Sequence, residues 1–118
     1  MPFDNTNYPE TETETERDLR ILRAAREGIS KPGGWCKRVA TEGLAHCIIG
    51  WVGISGGLGC VETNRLANRV LVPALPLRYR QTGFNIVEFN DGYNRKQADV
   101  VALFDRAIAR LEREREAK

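Results

Sequence analysis

The sequence predicts a mainly α-helical domain with a minor β component, a compact bundle of three to four helices and one or two short strands. Three observations carry this. Residues 100–111 repeat apolar side chains at helical spacing. A second such stripe runs through Leu19, Leu22 and Ala25 behind a helix-start signal. Glycine and proline clusters at 28–34, 53–59 and 73–76 cut the remainder into pieces too short for a large sheet.

Residues 1–12 (MPFDNTNYPETE) hold Pro2, Pro9 and alternating Thr and Glu, and read as an acidic extended arm ahead of a single globular domain over 13–118. The first helix starts near Thr13 or Thr15, because Thr13 with Glu16, or Thr15 with Asp18, supplies the Thr-x-x-acid box that satisfies orphan amides. Arg17, Arg20, Arg23 and Arg26 recur on another side, and Gly28 with Lys31-Pro32-Gly33-Gly34 ends the helix. Trp35 to Ala40 is a short strand or an irregular lead, and Thr41-Glu42-Gly43 a turn. Leu44 to Ile54 is uniformly apolar and is expected as a buried helix, although period alone does not separate it from a strand. After the glycine break at 53–59, Val61 to Leu71 fits a second amphipathic helix. Pro73 and Pro76 imply an extended passage. The alternating FNIVEF of residues 84–89 implies a short strand. The last helix covers about 95–116, with Asn94 as its cap and Gln97 three residues on. Its end, REREREAK, has no apolar face to bury.

The chain of 118 residues has a formal net charge of +2, so no overall bias announces a nucleic-acid or membrane partner. The distribution is uneven. Residues 1–16 carry five acidic and no basic side chains, and the stretch Arg17–Phe104 carries 13 basic against 7 acidic. Three cysteines, an odd number, and an N-terminus without a basic and apolar leader point to a reducing, cytoplasmic setting without disulfides. The uncharged stretch between Glu42 and Glu62 holds six glycines and makes a poor membrane span.

Candidate chemistry concentrates around GWCKRVATEGLAHCIIGW, residues 34–51. Cys47, near the start of an apolar helix, is the candidate nucleophile, with His46 and Asp91 as candidate assistants. Adjacent helical residues diverge by about 100°, so His46 is poorly placed to activate Cys47. Cys36, His46, Cys47 and Cys60 lack the paired spacing of a zinc knuckle, and no metal or cofactor is expected. The glycines of GWVGISGGLG match no phosphate loop. Residues 73–78, PALPLR, match a proline-rich ligand string that two helix-ending prolines also produce. Arg17, Arg20, Arg23 and Arg26, with Lys31, Lys37, Arg38, Arg78, Arg80, Arg95 and Lys96, are the candidate phosphate-facing patch, diluted by Glu16, Asp18 and Glu27. Asn90-Asp91-Gly92 is first a turn, and a polar site if it converges with Trp35 and Cys47.

An N-terminal helix closing in a glycine-rich turn before Trp35, then Cys47-Ile48-Ile49-Gly50, Phe89-Asn90-Asp91 and Asp105-Arg106-Ala107-Ile108, together resemble a family of small bacterial and phage domains classed as a domain of unknown function. The likeness covers residues 17–111. The chain departs from the family pattern at Trp51, where a small residue is common, and at Lys96, where a threonine often opens the last helix. The resemblance implies that Trp35, Cys47, Gly50, Asn90 and Asp91 form a shared framework, and it implies no reaction. The function expected is that of a small non-enzymatic binding protein of bacterial or phage origin, with Trp35, Asn90 and Asp91 in its site and a protein, itself or another, as partner. A Cys47-dependent hydrolase or transferase is the alternative, and a nucleic-acid binder the third reading.

Overall fold

The computed structural model describes residues 12–117, so the acidic arm lies almost wholly outside the described residues. The fold is mainly α with a minor β part: among the described residues there are six α-helices, four of them nine residues or longer, and one two-stranded antiparallel ribbon. Helix α1 spans Glu14–Ser30. Its cap is Thr13, whose hydroxyl accepts from the Glu16 amide at 3.1 Å while the Glu16 carboxylate accepts from the Thr13 amide at 3.0 Å. Leu19, Leu22, Ala25 and Ile29 form the buried stripe of α1, with Ile21 beside it. Helix α6, Gln97–Ala117, lies against that stripe through Val100, Phe104, Ala107 and Leu111. The α1–α6 pair is the main packing unit of the molecule.

The segment 44–54 is not one helix. Strands β1 (Thr41–Glu42) and β2 (Ala45–His46) pair antiparallel around a two-residue loop, Gly43-Leu44, and Leu44 is 91% exposed. Gly43 has φ +62, which a glycine adopts without steric cost and which closes a tight hairpin. Helix α2 therefore begins later, at Ile48, and runs to Gly56 with Cys47 as its cap residue. Trp35 makes a one-rung parallel bridge with His46, so the 35–36 segment lies alongside β2. Helix α3 is Cys60–Val70, within a residue of the range its apolar spacing implies.

Three other expectations are corrected. Pro73 sits inside a 3₁₀ turn, Val72–Ala74, and helix α4 (Leu77–Arg80) starts directly after Pro76; a proline near a helix start costs no hydrogen bond. FNIVEF is not a strand but most of helix α5, Asn85–Asn90. Its buried residues are Ile86, Phe89 and Asn90, an i, i+3, i+4 set that a six-residue alternation conceals. Arg95 secures this end of the fold: its guanidinium lies 3.8 Å from the centre of the Phe89 ring and donates to the Tyr79 hydroxyl at 2.8 Å. Helix α6 starts at Gln97 and Asn94 does not cap it; the Asp99 carboxylate accepts from the Lys96 amide at 2.9 Å instead. The Gln97 side-chain amide donates to the carbonyls of Ile29 and Lys31, where it closes the C-terminal end of α1.

Candidate functional site

Of the residues singled out in the sequence, Trp35, Cys47 and Asp91 come together, and Asn90 joins them. Its side chain is 2% exposed, at the last position of α5. The Asn90 carbonyl oxygen accepts from the Trp35 indole at 2.8 Å and from the Ile48 amide at 3.1 Å. Its amide nitrogen donates to the Cys36 carbonyl at 3.1 Å and to the Asp91 carboxylate at 2.9 Å. One side chain thus joins α5, the first turn of α2 and the strand-like lead at 35–36, with both donors and its acceptor oxygen used. Asp91 extends the network, accepting from the Arg38 amide at 2.8 Å. That contact holds Arg38 at φ +70, the one non-glycine residue with positive φ among those described. Lys37 reaches across to donate to the Gly92 carbonyl at 2.8 Å.

Beside this hub lies a cleft of about 270 Å³, lined by Arg38, Val39 and Ala40 on one wall and Cys47, Ile48 and Ile49 on another, and closed by Asn64, Ile86, Val87, Asn90 and Asp91. Its lining is chiefly apolar, and Val39 and Val87 stand at its rim, 49% and 48% exposed. Cys47 is half-buried there, with its sulfur accepting from the Gly50 amide at 3.4 Å. His46 does not share the site. Its Nδ1 pairs with the Thr41 hydroxyl at 2.8 Å, and its ring meets Trp51 edge-on with centroids 4.9 Å apart. Cys36 is buried next to the network; burial pushes its thiol above the ordinary value, and the negative charges of Glu42 and Asp91 act in the same direction. Cys60 is exposed at the start of α3. Among the described residues no group of three or more His, Cys, Asp or Glu is placed to hold a metal ion.

The α1 arginines lie elsewhere and are engaged by carboxylates. Arg17 pairs with Asp18 at 3.1 Å, Arg20 with Glu12 at 2.9 Å, Arg23 with Glu112 at 2.6 Å, and Arg26 with Asp105. Asp18, only 2% exposed, also takes Arg69 at 2.7 Å.

Sequence reasoning missed the 38–40 wall of the cleft, Asn64 and the outward face of α5. Reading 84–89 as a strand hid that face. Arg38 carries no local signal, since its backbone is set by Asp91, 53 residues away.

The architecture and hub together define a small, mainly helical domain built around a buried asparagine, with one apolar cleft beside it. Residues 13–110 match a family of unknown function, DUF6197, and the chain belongs to that family. No curated protein and no solved structure gives a significant match. No helix among the described residues is long and apolar enough to cross a membrane.

Proposed function

We propose that this is a non-enzymatic binding protein that takes an apolar side chain of a protein partner into the cleft between Val39, Ile49 and Val87. The observation that carries this reading is the cleft itself, with its apolar lining and two half-exposed valines at the rim. At about 270 Å³ it falls below the roughly 300–1,000 Å³ typical of small-molecule sites. That size suits a single anchoring side chain, the kind of contact that dominates protein interfaces. Arg38 and Asp91 at the edge supply opposite charges to orient the backbone that carries it. Asn90 and Asp91 serve by holding the walls in place, and Trp35 by fixing Asn90.

Thiol chemistry at Cys47 has less support. Pairing with a base in hydrogen-bond reach is one main route to an active cysteine nucleophile, and the His46 ring is turned instead to Thr41 and Trp51.

Peptides selected for binding from a random library, titrated into the isotope-labelled protein, test the reading. Amide shifts should cluster on residues 38–40, 47–49 and 86–91, selected peptides should share an aromatic or aliphatic anchor, and Val87→Glu should abolish binding without unfolding the domain. Peptides that bind elsewhere and ignore Val87→Glu would overturn it.

A further inference from the structure

The charges on α6 are sorted by face. Asp105 and Glu112 point toward α1, where they take Arg26 and Arg23. Arg106, Arg110 and Arg113 follow at i, i+4 and i+7 on another face, exposed, and line a groove of about 490 Å³ with Arg80 from α4. The floor of that groove is Pro73, Ala74, Leu75, Pro76 and Ala109, and no carboxylate lines it. None of these four arginines has a carboxylate within 4.0 Å among the described residues. Arg17, Arg20, Arg23, Arg26, Arg65, Arg69 and Arg95, in contrast, all do. Arg110 also borders the neighbouring cleft that holds Glu14, Asp18 and Glu114, with none of the three within 4.0 Å of it.

Two of the four are pre-set by backbone. Arg106 donates its Nε–H to the Ala74 carbonyl at 3.0 Å, and Arg80 donates its own to Leu75 at 2.8 Å. Both guanidinium groups are thereby tied to the 3₁₀ turn and its exit, and their terminal NH₂ groups remain available to a ligand. Four cations gathered with no carboxylate among the residues that line the groove repel one another, so the arrangement favours an anion that spans them. Guanidinium forks match phosphate oxygens in geometry.

We propose that this groove is a phosphate-binding site that holds a run of neighbouring phosphates, as a nucleic-acid strand presents them. Arg106 to Arg113 spans on the order of 10 Å of helix, about three of the roughly 3.4 Å phosphate spacings along a strand, so the four arginines match up to four successive phosphates. The open, linear layout of exposed arginines suits a strand passing over the surface better than an enclosed small ligand. The site shares no lining residue with the apolar cleft and does not rest on the function proposed for it.

Fluorescence anisotropy with a labelled 20-residue oligo-dT, from about 30 to 300 mM salt, tests the proposal, with inorganic tripolyphosphate as competitor. If four phosphates are neutralised, the logarithm of affinity falls against the logarithm of salt with a slope of about −2.8, from roughly −0.7 per single-strand phosphate. The double variant Arg110→Gln/Arg113→Gln removes two cations whose side chains make no hydrogen bond among the described residues, and should bring the slope to about −1.4 with at least a roughly tenfold loss of affinity at low salt. The charge-matched control Lys31→Gln/Lys96→Gln should keep the wild-type slope. Competition by tripolyphosphate near the oligonucleotide's own affinity would assign the groove to a free oligophosphate, and a large excess being needed would assign it to a strand. No binding of either probe, or equal losses in the arginine pair and the lysine control, overturns the proposal. Circular dichroism and a melting curve confirm that both variants are folded.

Discussion

Removing the Asn90 side chain is the sharpest test of how the site is held. In Asn90→Ala the Ile48 amide and the Cys36 carbonyl lose their side-chain partner in the interior. A buried polar group left unsatisfied costs about 1–3 kcal/mol. The Trp35 indole loses its acceptor too, but Trp35 is half-buried and water can replace part of that bond. The two orphaned groups and the small void together predict a loss of about 3–5 kcal/mol, a large share of the roughly 5–15 kcal/mol that stabilises a domain. With a urea slope near 2 kcal/mol per molar, the unfolding midpoint should fall by about 2 M. Trp35 and Trp51 fluorescence reports the transition directly. Asn90→Asp adds a signature that a mere packing defect lacks. Its oxygens still accept from Trp35 and Ile48, but the ionised carboxylate faces the Cys36 carbonyl and Asp91 with nothing to donate. That environment raises the native pKa of the new carboxyl above its unfolded value of about 3.9. A raised native carboxyl pKa means stability is regained as pH falls through it, so the deficit against wild type should narrow from pH 7 to pH 5. A loss below about 1 kcal/mol for Asn90→Ala, or a deficit for Asn90→Asp that is the same at both pH values, would refute the account of Asn90 as the joint between α2, α5 and the 35–36 segment.

Three further outcomes are expected. Gly28→Ala gains about 1 kcal/mol of helix propensity, but its methyl would overlap the Trp51 ring and break the Trp51 indole bond to the Gly34 carbonyl, 2.6 Å long in the native fold; a net loss of about 1–2 kcal/mol and a shifted tryptophan emission should be measured. Arg38→Gly relieves a left-handed backbone and should leave thermal stability unchanged or raise it by up to about 1 kcal/mol, whereas Arg38→Val should lower it. The buried Cys36 thiol, raised by its surroundings, keeps its proton to higher pH in the native state than in the unfolded chain; stability therefore falls as pH rises past the unfolded thiol value of about 8.5, and that alkaline slope should flatten in Cys36→Ala, as chemical denaturation from pH 8 to 10 would show.

The N-terminal helix, the last helix and α3 were legible because each repeats apolar residues over three or more turns. In such elements local periodicity and core burial agree, as in the Leu19–Leu22–Ala25 and Val100–Phe104–Ala107 stripes. The Thr13 box was legible too, since a helix cap depends on residues three apart. Short elements behaved differently. FNIVEF suits a strand by alternation and a helix by its Ile86–Phe89–Asn90 spacing, and only packing against α2 and α4 selects the helix. Leu44 is apolar yet projects into solvent because the Gly43 turn must close β1 on β2.

By itself the amino-acid order determined the helical class, the two long stripes that pair as α1 and α6, and some but not all of the residues that meet around Asn90. Tertiary structure decided what those residues do. Asn90 lies more than fifty positions from Trp35 and Cys36, and no local rule links them. The cost of burying an unpaired amide does, and it draws all three into one satisfied joint. The same long-range accounting engages Arg23 and Arg26 of α1 with Glu112 and Asp105 of α6 and leaves four other arginines together over the groove on α6. Periodicity is a property of neighbours in sequence; the pairing of buried polar groups and charges is settled only when distant segments meet.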